Sequence, residues 1–230
     1  MGKNWLKWIK AATIFFFISG IILGGWSIFS IFYLQPNANK IKQLEQSLHD
    51  LQSAINIDSE RQYNIQRVMA IIDQYNPTMP SGQKYEIAQE VYNMSIKYDN
   101  LNIDLLCATI VHESAGTWSP AIKSKAGTMG LMQIMPTTGM FVSVYEDITW
   151  TSAEDVLYNP IYNIRIGARY LSSLISLYDV DGGLAAYNGG EKRAALWLGS
   201  GKANGVLPEE TEKYVPAIMR LYNELQAFTL

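Results

Sequence analysis

The residue best suited to chemistry is a glutamate that ends an apolar segment. Leu105 to Val111 is apolar on nearly every side, which predicts a buried helix, and Glu113 follows closely. Steps of three, four and seven residues back from Glu113 reach Ile110, Thr109 and Leu106, so the carboxylate shares a face with largely apolar neighbours. Desolvation and the negative end of the helix dipole should raise its pKa, as a general acid near neutral pH requires. A solvated glutamate at a frayed helix end is the alternative.

A segment rich in glycine and methionine follows, from Ser124 to Pro136. Gly127 and Gly130 permit close approach of the backbone to a ligand, and Gln133 supplies an amide that can donate and accept hydrogen bonds. The same segment carries three methionines, which offer a pliable apolar surface: Met129, Met132 and Met135. Together these residues suit a sugar-binding site. For each residue taken singly, a loop packed on the core is the simpler interpretation.

Five ordered motifs resemble those of the soluble lytic transglycosylase family, which has the goose-type lysozyme fold. They are Glu113-Ser114, the Gly-Leu-Met-Gln run within Gly127 to Pro136, Asn159 to Leu171, Ala185 to Gly190, and Glu210 to Val215. A single Glu-Ser pair would carry no specificity, but the ordered series over about Ser81 to Tyr222 is highly specific. The residues before Ser81 show no such match. The resemblance implies a mainly α, goose-type lysozyme-like catalytic domain.

The resemblance also assigns roles to individual residues. It implies that Glu113 is the catalytic acid and that Ser114 orients the site. A further set lines or supports the glycan cleft: Gln133, Tyr187, Asn188 and Tyr214. Met129 and Met132 would contact sugar rings, with core packing as the alternative. The chain departs from the usual sequence of the family at two positions. Trp118 could alter the cleft wall, and Thr128 stands where alanine is typical.

The chemistry of that family needs only one carboxylate. The glutamate protonates the leaving oxygen between N-acetylmuramic acid and N-acetylglucosamine, then deprotonates the muramyl C6 hydroxyl, which attacks C1 and leaves a 1,6-anhydro end. Most glycoside hydrolases need two carboxylates. Four candidates for a second one lie between the motifs, where we expect solvated loops: Glu146, Asp147, Glu154 and Asp155. A hydrolytic lysozyme is therefore one alternative, and a non-catalytic glycan-binding scaffold in a secretion, conjugation or phage machine is another.

The composition argues against several other functions. The 230 residues carry a formal net charge of -3 without basic runs, which makes nucleic acid an unexpected ligand. Cys107 is the only cysteine, so an internal disulfide is impossible. His49 and His112 are the only histidines and are far apart, so we expect no metal and no cofactor.

The N-terminal part of the chain predicts a membrane anchor. Residues 11–34 contain no charged side chain and are long enough to cross a bilayer once. Lysines precede this span and should hold residues 1–10 in the cytoplasm: Lys3, Lys7 and Lys10. The chain after the span would then lie in the periplasm or cell-wall space, anchored to the cytoplasmic (inner) membrane beside peptidoglycan. A cleavable signal peptide is the alternative, although no small-x-small cleavage site follows Leu34.

Two features of this region suggest a homodimer. Gly20 and Gly24 have the spacing with which two membrane helices approach closely. Residues 35–75 are a predicted helical stalk, broken near Asn56 to Asp58, in which apolar residues recur at alternating steps of three and four: Ile41, Leu44, Leu48, Leu51 and Ile55. The repeat covers about two heptads, so packing of the stalk on the globular domain is an equal alternative.

The strongest turn signal, residues 76–82, predicts a linker to a catalytic domain at 83–230. Hydrophobic periodicity predicts that this domain is mostly helical. The expected helices are Lys84 to Tyr98, Asp104 to Ser114, one after Pro136, Ile161 to Tyr178, Glu191 to Leu198, and Glu210 to Ala227.

Overall fold

The computed structural model describes residues 4–230, except for the side chains of residues 4, 34–36, 38 and 39. Contacts divide the chain into two compact units, Met1–Ser59 and Glu60–Leu230. The described residues form helices joined by turns and loops, with no strand beyond isolated bridges at Met129. The mainly α prediction is therefore confirmed.

The first unit contains the candidate membrane span. Helix α1 is Asn4–Phe29, and a single π-helical turn, Ser30–Leu34, follows it. Within Trp5–Tyr33 an 18-residue stretch has a mean hydropathy of 2.1, and the length and composition of this segment alone would allow it to cross a membrane. Helix α2 is Gln35–Tyr75 and shows no break near Asn56 to Asp58, contrary to the prediction. The apolar pattern weakens there, but nothing in the segment interrupts helical hydrogen bonding.

The second unit contains the end of α2 and seven further helices. These are α3 (Ser81–Lys97), α4 (Ile103–Glu113), α5 (Pro136–Ser143), α6 (Ala153–Leu157), α7 (Pro160–Gly189), α8 (Glu191–Gly199) and α9 (Glu209–Gln226). A 3-10 turn, Val144–Glu146, follows α5. Helix α4 packs against α3 and α9, and α7 packs against α3, α5, α6, α8 and α9. The predicted helices are therefore present with small shifts at their ends, and α6 and the second part of α7 are additions.

Helix α7 consists of two helical segments that meet at Asp179, so the first segment ends at Tyr178 as predicted and the second, up to Gly189, was not predicted. Asp179 has φ 60° and ψ -175°, which is not a helical conformation, yet helix resumes after it. Its side chain accepts a hydrogen bond from the backbone N of Gly182 at 2.9 Å, as an N-cap does. The second part of α7, beyond the predicted end at Tyr178, carries Tyr187 and Asn188.

The compact unit begins earlier than the predicted boundary at 76–82. Four side chains near the end of α2 are fully buried in the core: Ile65, Val68, Ile71 and Ile72. Arg67, also buried, donates hydrogen bonds to the carbonyl oxygens of Leu225 and, at 2.9 Å, of Phe228 just after α9. The turn at 76–82 therefore reverses the chain inside the domain. Local turn chemistry marks a reversal but does not show whether the helix before the turn packs back on the helices after it.

Candidate active site

Glu113 is the last residue of α4, as predicted. Asn102 caps the start of this helix by accepting a hydrogen bond from the backbone N of Leu105 at 2.9 Å. Leu105 to Val111 are all buried, so the helix runs through the core and delivers Glu113, half-buried, to a cleft. The Tyr214 hydroxyl of α9 donates a hydrogen bond of 2.5 Å to Glu113 Oε1. The carboxyl group is therefore positioned by two helices that pack together.

The environment shifts Glu113 toward its protonated form. Burial raises the pKa of this carboxyl group from 4.5 to about 7; the Tyr214 hydrogen bond opposes the rise and the charge of Glu210 adds to it. A pKa near 7 leaves both protonation states populated around neutral pH. The group can therefore give up a proton and later accept one, as general acid–base catalysis requires.

The cleft at Glu113 has a volume of about 550 Å³. Its lining residues are His112, Glu113, Ser124, Lys125, Ala126, Thr128, Gln133, Tyr187, Asn188, Glu210 and Tyr214. A second cavity of about 400 Å³ shares Thr128, Gln133, Tyr187 and Asn188 with it and adds residues such as Tyr170 and Thr138. Five predicted site residues are thus brought together: Glu113, Gln133, Tyr187, Asn188 and Tyr214. The two cavities therefore adjoin, and together they are called the groove.

Tyr187 and Asn188 reach the groove at the end of α7. The Tyr187 hydroxyl donates to the backbone oxygen of Met132 at 2.7 Å, which ties α7 to the loop that carries Gln133. Asn188 Oδ1 accepts from the Thr211 hydroxyl of α9 at 2.7 Å. Both residues therefore join neighbouring elements of the groove wall as well as lining it.

The loop that carries Gln133 is fastened to α7 by Asn163, a fully buried residue. Asn163 Oδ1 accepts from the backbone N of Met132 at 2.7 Å, and its Nδ2 donates to the backbone oxygens of Met129 and Leu157, both at 2.9 Å. Gly130 lies against this amide with φ +79°, and a Cβ there would be 2.2 Å from Asn163 Nδ2. Glycine is required at this position both by the backbone conformation and by the close approach.

The structure does not bring Ser114 or Met129 to the groove surface, in contrast to the prediction. Ser114 is fully buried, and its hydroxyl oxygen accepts from the backbone N of Trp118 at 3.1 Å. Met129 is 1% exposed and packs in the core, which was the alternative to contact with sugar rings. Trp118 is also fully buried and therefore forms no part of the cleft wall. All three residues belong to the buried interior of the domain.

The cleft also contains three ionisable residues that the sequence did not predict as part of the site: His112, Lys125 and Glu210. Burial lowers the pKa of His112, and the charge of Glu210 opposes that change. Glu210 lies four residues before Tyr214, so the helical repeat places the two on one face of α9. That spacing could have predicted its position once Tyr214 was assigned to the site.

The four acidic residues considered as a second carboxylate do not line the groove. Asp147, Glu154 and Asp155 are exposed, as expected. Glu146 is buried instead, and it accepts hydrogen bonds from Lys97 Nζ at 2.6 Å and from the Tyr98 hydroxyl. It serves as an anchor between α3 and the turn after α5. Within residues 4–230, no group of three or more His, Cys, Asp or Glu side chains could hold a metal ion.

Comparisons with known proteins agree with this geometry. Residues 90–206 match the model of the transglycosylase SLT domain family. A putative soluble lytic murein transglycosylase of Haemophilus influenzae is 29% identical over 56% of this chain and 23% of its own length. Membrane-bound lytic murein transglycosylase D of Escherichia coli is 30% identical over 57% of this chain and 30% of its own.

A solved structure shows a similar fold. It is a lytic transglycosylase of Pseudomonas aeruginosa, crystallised as an inactive glutamate-to-glutamine mutant. The match has a TM-score of 0.52 and 26% identity, and covers 59% of this chain and 23% of the other. The chain spans less than a third of the length of each of these relatives. Because the family model covers half of the sequence, the chain belongs to the transglycosylase SLT domain family.

Proposed function

We propose that this chain cleaves the β-1,4 bond between N-acetylmuramic acid and N-acetylglucosamine in peptidoglycan and leaves a 1,6-anhydromuramyl end. The observation that carries the proposal is Glu113, a half-buried carboxyl group with a pKa of about 7 in an extended groove. The names of its relatives, lytic murein transglycosylases, support the substrate class. An inactive relative with glutamate replaced by glutamine supports a glutamate as the essential group.

The proposed reaction uses Glu113 twice. Protonated Glu113 donates its proton to the oxygen that leaves C1 of the muramyl residue, and the glycosidic bond breaks. The resulting carboxylate accepts the Tyr214 hydrogen bond, which stabilises the charge. It then takes the proton of the muramyl C6 hydroxyl as that oxygen bonds to C1. Glu113 ends protonated again, and no water is consumed.

Glu210 supports a second candidate function, a hydrolytic lysozyme. It is an exposed carboxylate in the same cleft as Glu113, and its charge raises the Glu113 pKa. A second carboxylate could activate water for attack on the sugar, as in inverting glycosidases. In the anhydro reaction described above, Glu113 performs both proton transfers and Glu210 takes no part in them.

The products separate these candidates. We expect mass spectrometry of muropeptides released from purified peptidoglycan by the full-length chain to show 1,6-anhydro ends. The Glu210→Gln variant should release the same products, because the anhydro reaction needs no second carboxylate. Reducing muramyl ends that disappear with Glu210→Gln would establish the lysozyme. Binding to peptidoglycan without release of any fragment would instead indicate a non-catalytic scaffold.

Removal of the Tyr214 hydroxyl should move the pH profile of cleavage. The donated hydrogen bond stabilises ionised Glu113, so Tyr214→Phe should raise the Glu113 pKa above its present value of about 7. Because the first step needs protonated Glu113, the alkaline limb of the kcat/KM profile should shift to higher pH by roughly one unit. Tyr222→Phe on the same helix is the control, since that hydroxyl contacts Asn102 and Gln226 away from the cleft. An unshifted limb would show that Tyr214 does not tune the acid.

The proposal extends to location. The chain would be anchored in the cytoplasmic membrane by one pass of Trp5–Tyr33, with the N-terminus in the cytoplasm and the catalytic unit in the periplasm or cell-wall space. A membrane-bound relative supports the anchor, and Lys3, Lys7 and Lys10, which precede the uncharged residues 11–34, support this topology. Such a location would also suit local wall opening for an envelope-spanning machine. Alkaline carbonate should leave an anchored chain in the membrane pellet, and release into the supernatant would contradict the anchor.

A homodimer through the stalk or through Gly20 and Gly24 belongs to the same proposal. The apolar stripe of α2 is more than half exposed at each position in the single chain: Ile41, Leu44, Leu48, Leu51 and Ile55. Pairing with a second copy would cover it. Cross-linking through Leu48→Cys should give a dimer, since the native Cys107 is buried and does not compete. A chain that stays monomeric in the membrane would exclude this pairing.

A further inference from the structure

A chain of hydroxyl groups leads to Gln133 in the groove. Thr128 Oγ1 lies 2.7 Å from Ser124 Oγ and 2.7 Å from Gln133 Oε1. A threonine hydroxyl has one proton, and the amide oxygen can only accept, so Thr128 donates to Gln133. Ser124 then donates to Thr128, while Ser124 Oγ accepts from the backbone N of Thr128 at 3.1 Å. Each hydroxyl proton in this chain of hydrogen bonds therefore points toward Gln133.

The other end of the Gln133 amide is held by backbone carbonyls. Gln133 Nε2 donates to the oxygen of Gly130 at 2.8 Å and lies 3.4 Å from the oxygen of Ile122. Both oxygens can only accept, so the nitrogen must face them. A flipped amide would place its oxygen against the Gly130 oxygen and lose this hydrogen bond. Thr128 at one end and Gly130 at the other therefore set the same orientation.

The backbone adds a further constraint on Gln133. Its φ of +47° is unusual for a residue with a Cβ, and its backbone N donates to the Gly130 oxygen at 3.1 Å. The neighbouring residues Met129 and Ile134 exchange backbone hydrogen bonds, each of 3.0 Å. The main chain thus fixes the direction in which this side chain leaves the backbone, and the contacts of the amide hold its far end.

We propose that Thr128 is a positioning residue that holds the Gln133 amide in one orientation for the glycan. Both side chains line both cavities of the groove, so the held amide faces the place where the sugar chain would lie. One lone pair of Oε1 remains for a donor on the sugar, such as a hydroxyl or an acetamido N–H. Without Thr128 the Gln133 amide would be ordered only when the glycan binds, and the entropy lost in that step would lower the affinity. The inference rests on the proposed function, since it takes glycan as the ligand.

The experiment is a double-mutant cycle for binding, in the full-length chain with Glu113→Gln so that the ligand is not consumed. The probe is a soluble oligosaccharide of alternating N-acetylglucosamine and N-acetylmuramic acid, and calorimetry gives the Kd. Thr128→Val, which removes the hydroxyl, should weaken binding about tenfold, in keeping with one lost hydrogen bond. Thr128→Ser should stay within about twofold, because it keeps the donor. Thr137→Val, an exposed residue in α5, is the matched control and should leave Kd unchanged.

The decisive arm combines Thr128→Val with Gln133→Ala. If Thr128 acts through Gln133, its replacement should have no further effect once that amide is gone. A loss that persists in the Gln133→Ala background would overturn the proposal, as would normal binding by Thr128→Val. Melting temperatures identify any variant that loses binding because it unfolds. If Thr128→Val is such a variant, the Kd of Thr128→Ser supplies the test. If the parent chain neither binds the oligosaccharide nor, with Glu113 intact, cleaves peptidoglycan, the proposed function itself fails and the inference fails with it.

Discussion

Replacement of Glu113 by glutamine is expected to abolish glycan cleavage and at the same time to stabilise the fold at pH 8. Loss of the acid should reduce kcat by roughly 10³-fold or more, since general acid–base catalysis contributes about 10²–10⁴-fold. The glutamine is nearly the same size, and its carbonyl oxygen can still accept the Tyr214 hydrogen bond. The site should therefore keep its shape while losing its proton.

The gain in stability follows from the raised pKa. Glu113 has a pKa of about 7 in the folded chain and 4.5 as its ordinary value, so the folded state binds more protons between these values. The free energy of unfolding therefore falls as pH rises through this window, by up to about 3 kcal/mol. Glutamine escapes this cost because it is neutral at every pH.

The measurement is urea unfolding followed by near-ultraviolet circular dichroism at pH 4 and pH 8. The Glu113→Gln variant should be more stable than the parent at pH 8 and about equal to it at pH 4. Exposed Glu86 provides the control, since Glu86→Gln should change neither stability nor cleavage. Equal stability of Glu113→Gln and parent at pH 8 would mean that the carboxyl group is solvated, which would remove the basis for its role as an acid.

A fragment that begins at Ser81 is expected not to fold, although it contains every residue of the family match at 90–206. A fragment that begins at Glu60 should fold and cleave peptidoglycan. The difference is the end of α2, whose four fully buried side chains are Ile65, Val68, Ile71 and Ile72. At about 1.5–3 kcal/mol each, their burial contributes as much as the whole net stability of an ordinary domain, about 5–15 kcal/mol.

Polar contacts at the end of α2 reinforce this expectation. The shorter fragment also lacks Asp73, which pairs with the buried Lys84 of α3. It lacks Asn76, whose Nδ2 donates to the oxygen of Thr117 at 2.9 Å in the loop that follows Glu113. Removal would therefore take away the partner of Lys84 and release the loop beside Glu113.

Circular dichroism of the two fragments tests this directly, and a point variant makes the test finer. Arg67 lies 2.7 Å from Asp104 of α4 and also donates to the backbone after α9, so Arg67→Ala in the longer fragment should cost about 3–5 kcal/mol. Gln66→Ala, at an exposed neighbouring position, should cost little. A cooperative unfolding transition in the Ser81 fragment would show that the domain is complete without α2.

The sequence alone was sufficient for features that depend on local order. Glu113 could be placed at the end of a buried helix because Leu105 to Val111 is apolar all round, and the structure agrees. Helical periodicity and caps act over a few residues, which is why most helices of the catalytic unit were predicted. The ordered motifs identified the family for a similar reason, since each is a short run of residues that can be recognised without knowing the fold.

The tertiary structure decided which residues share a surface and which are buried beneath it. Glu210 lines the cleft because α9 packs on α4. Ser114 and Met129 also belong to the family motifs, but both are buried in the core. The end of α2 belongs to the catalytic unit because its apolar face packs there, beyond a turn that resembled a linker. Contacts between segments far apart in the chain depend on the packing of whole helices, and the residue pattern within one helix shows which face is apolar but not which element covers it.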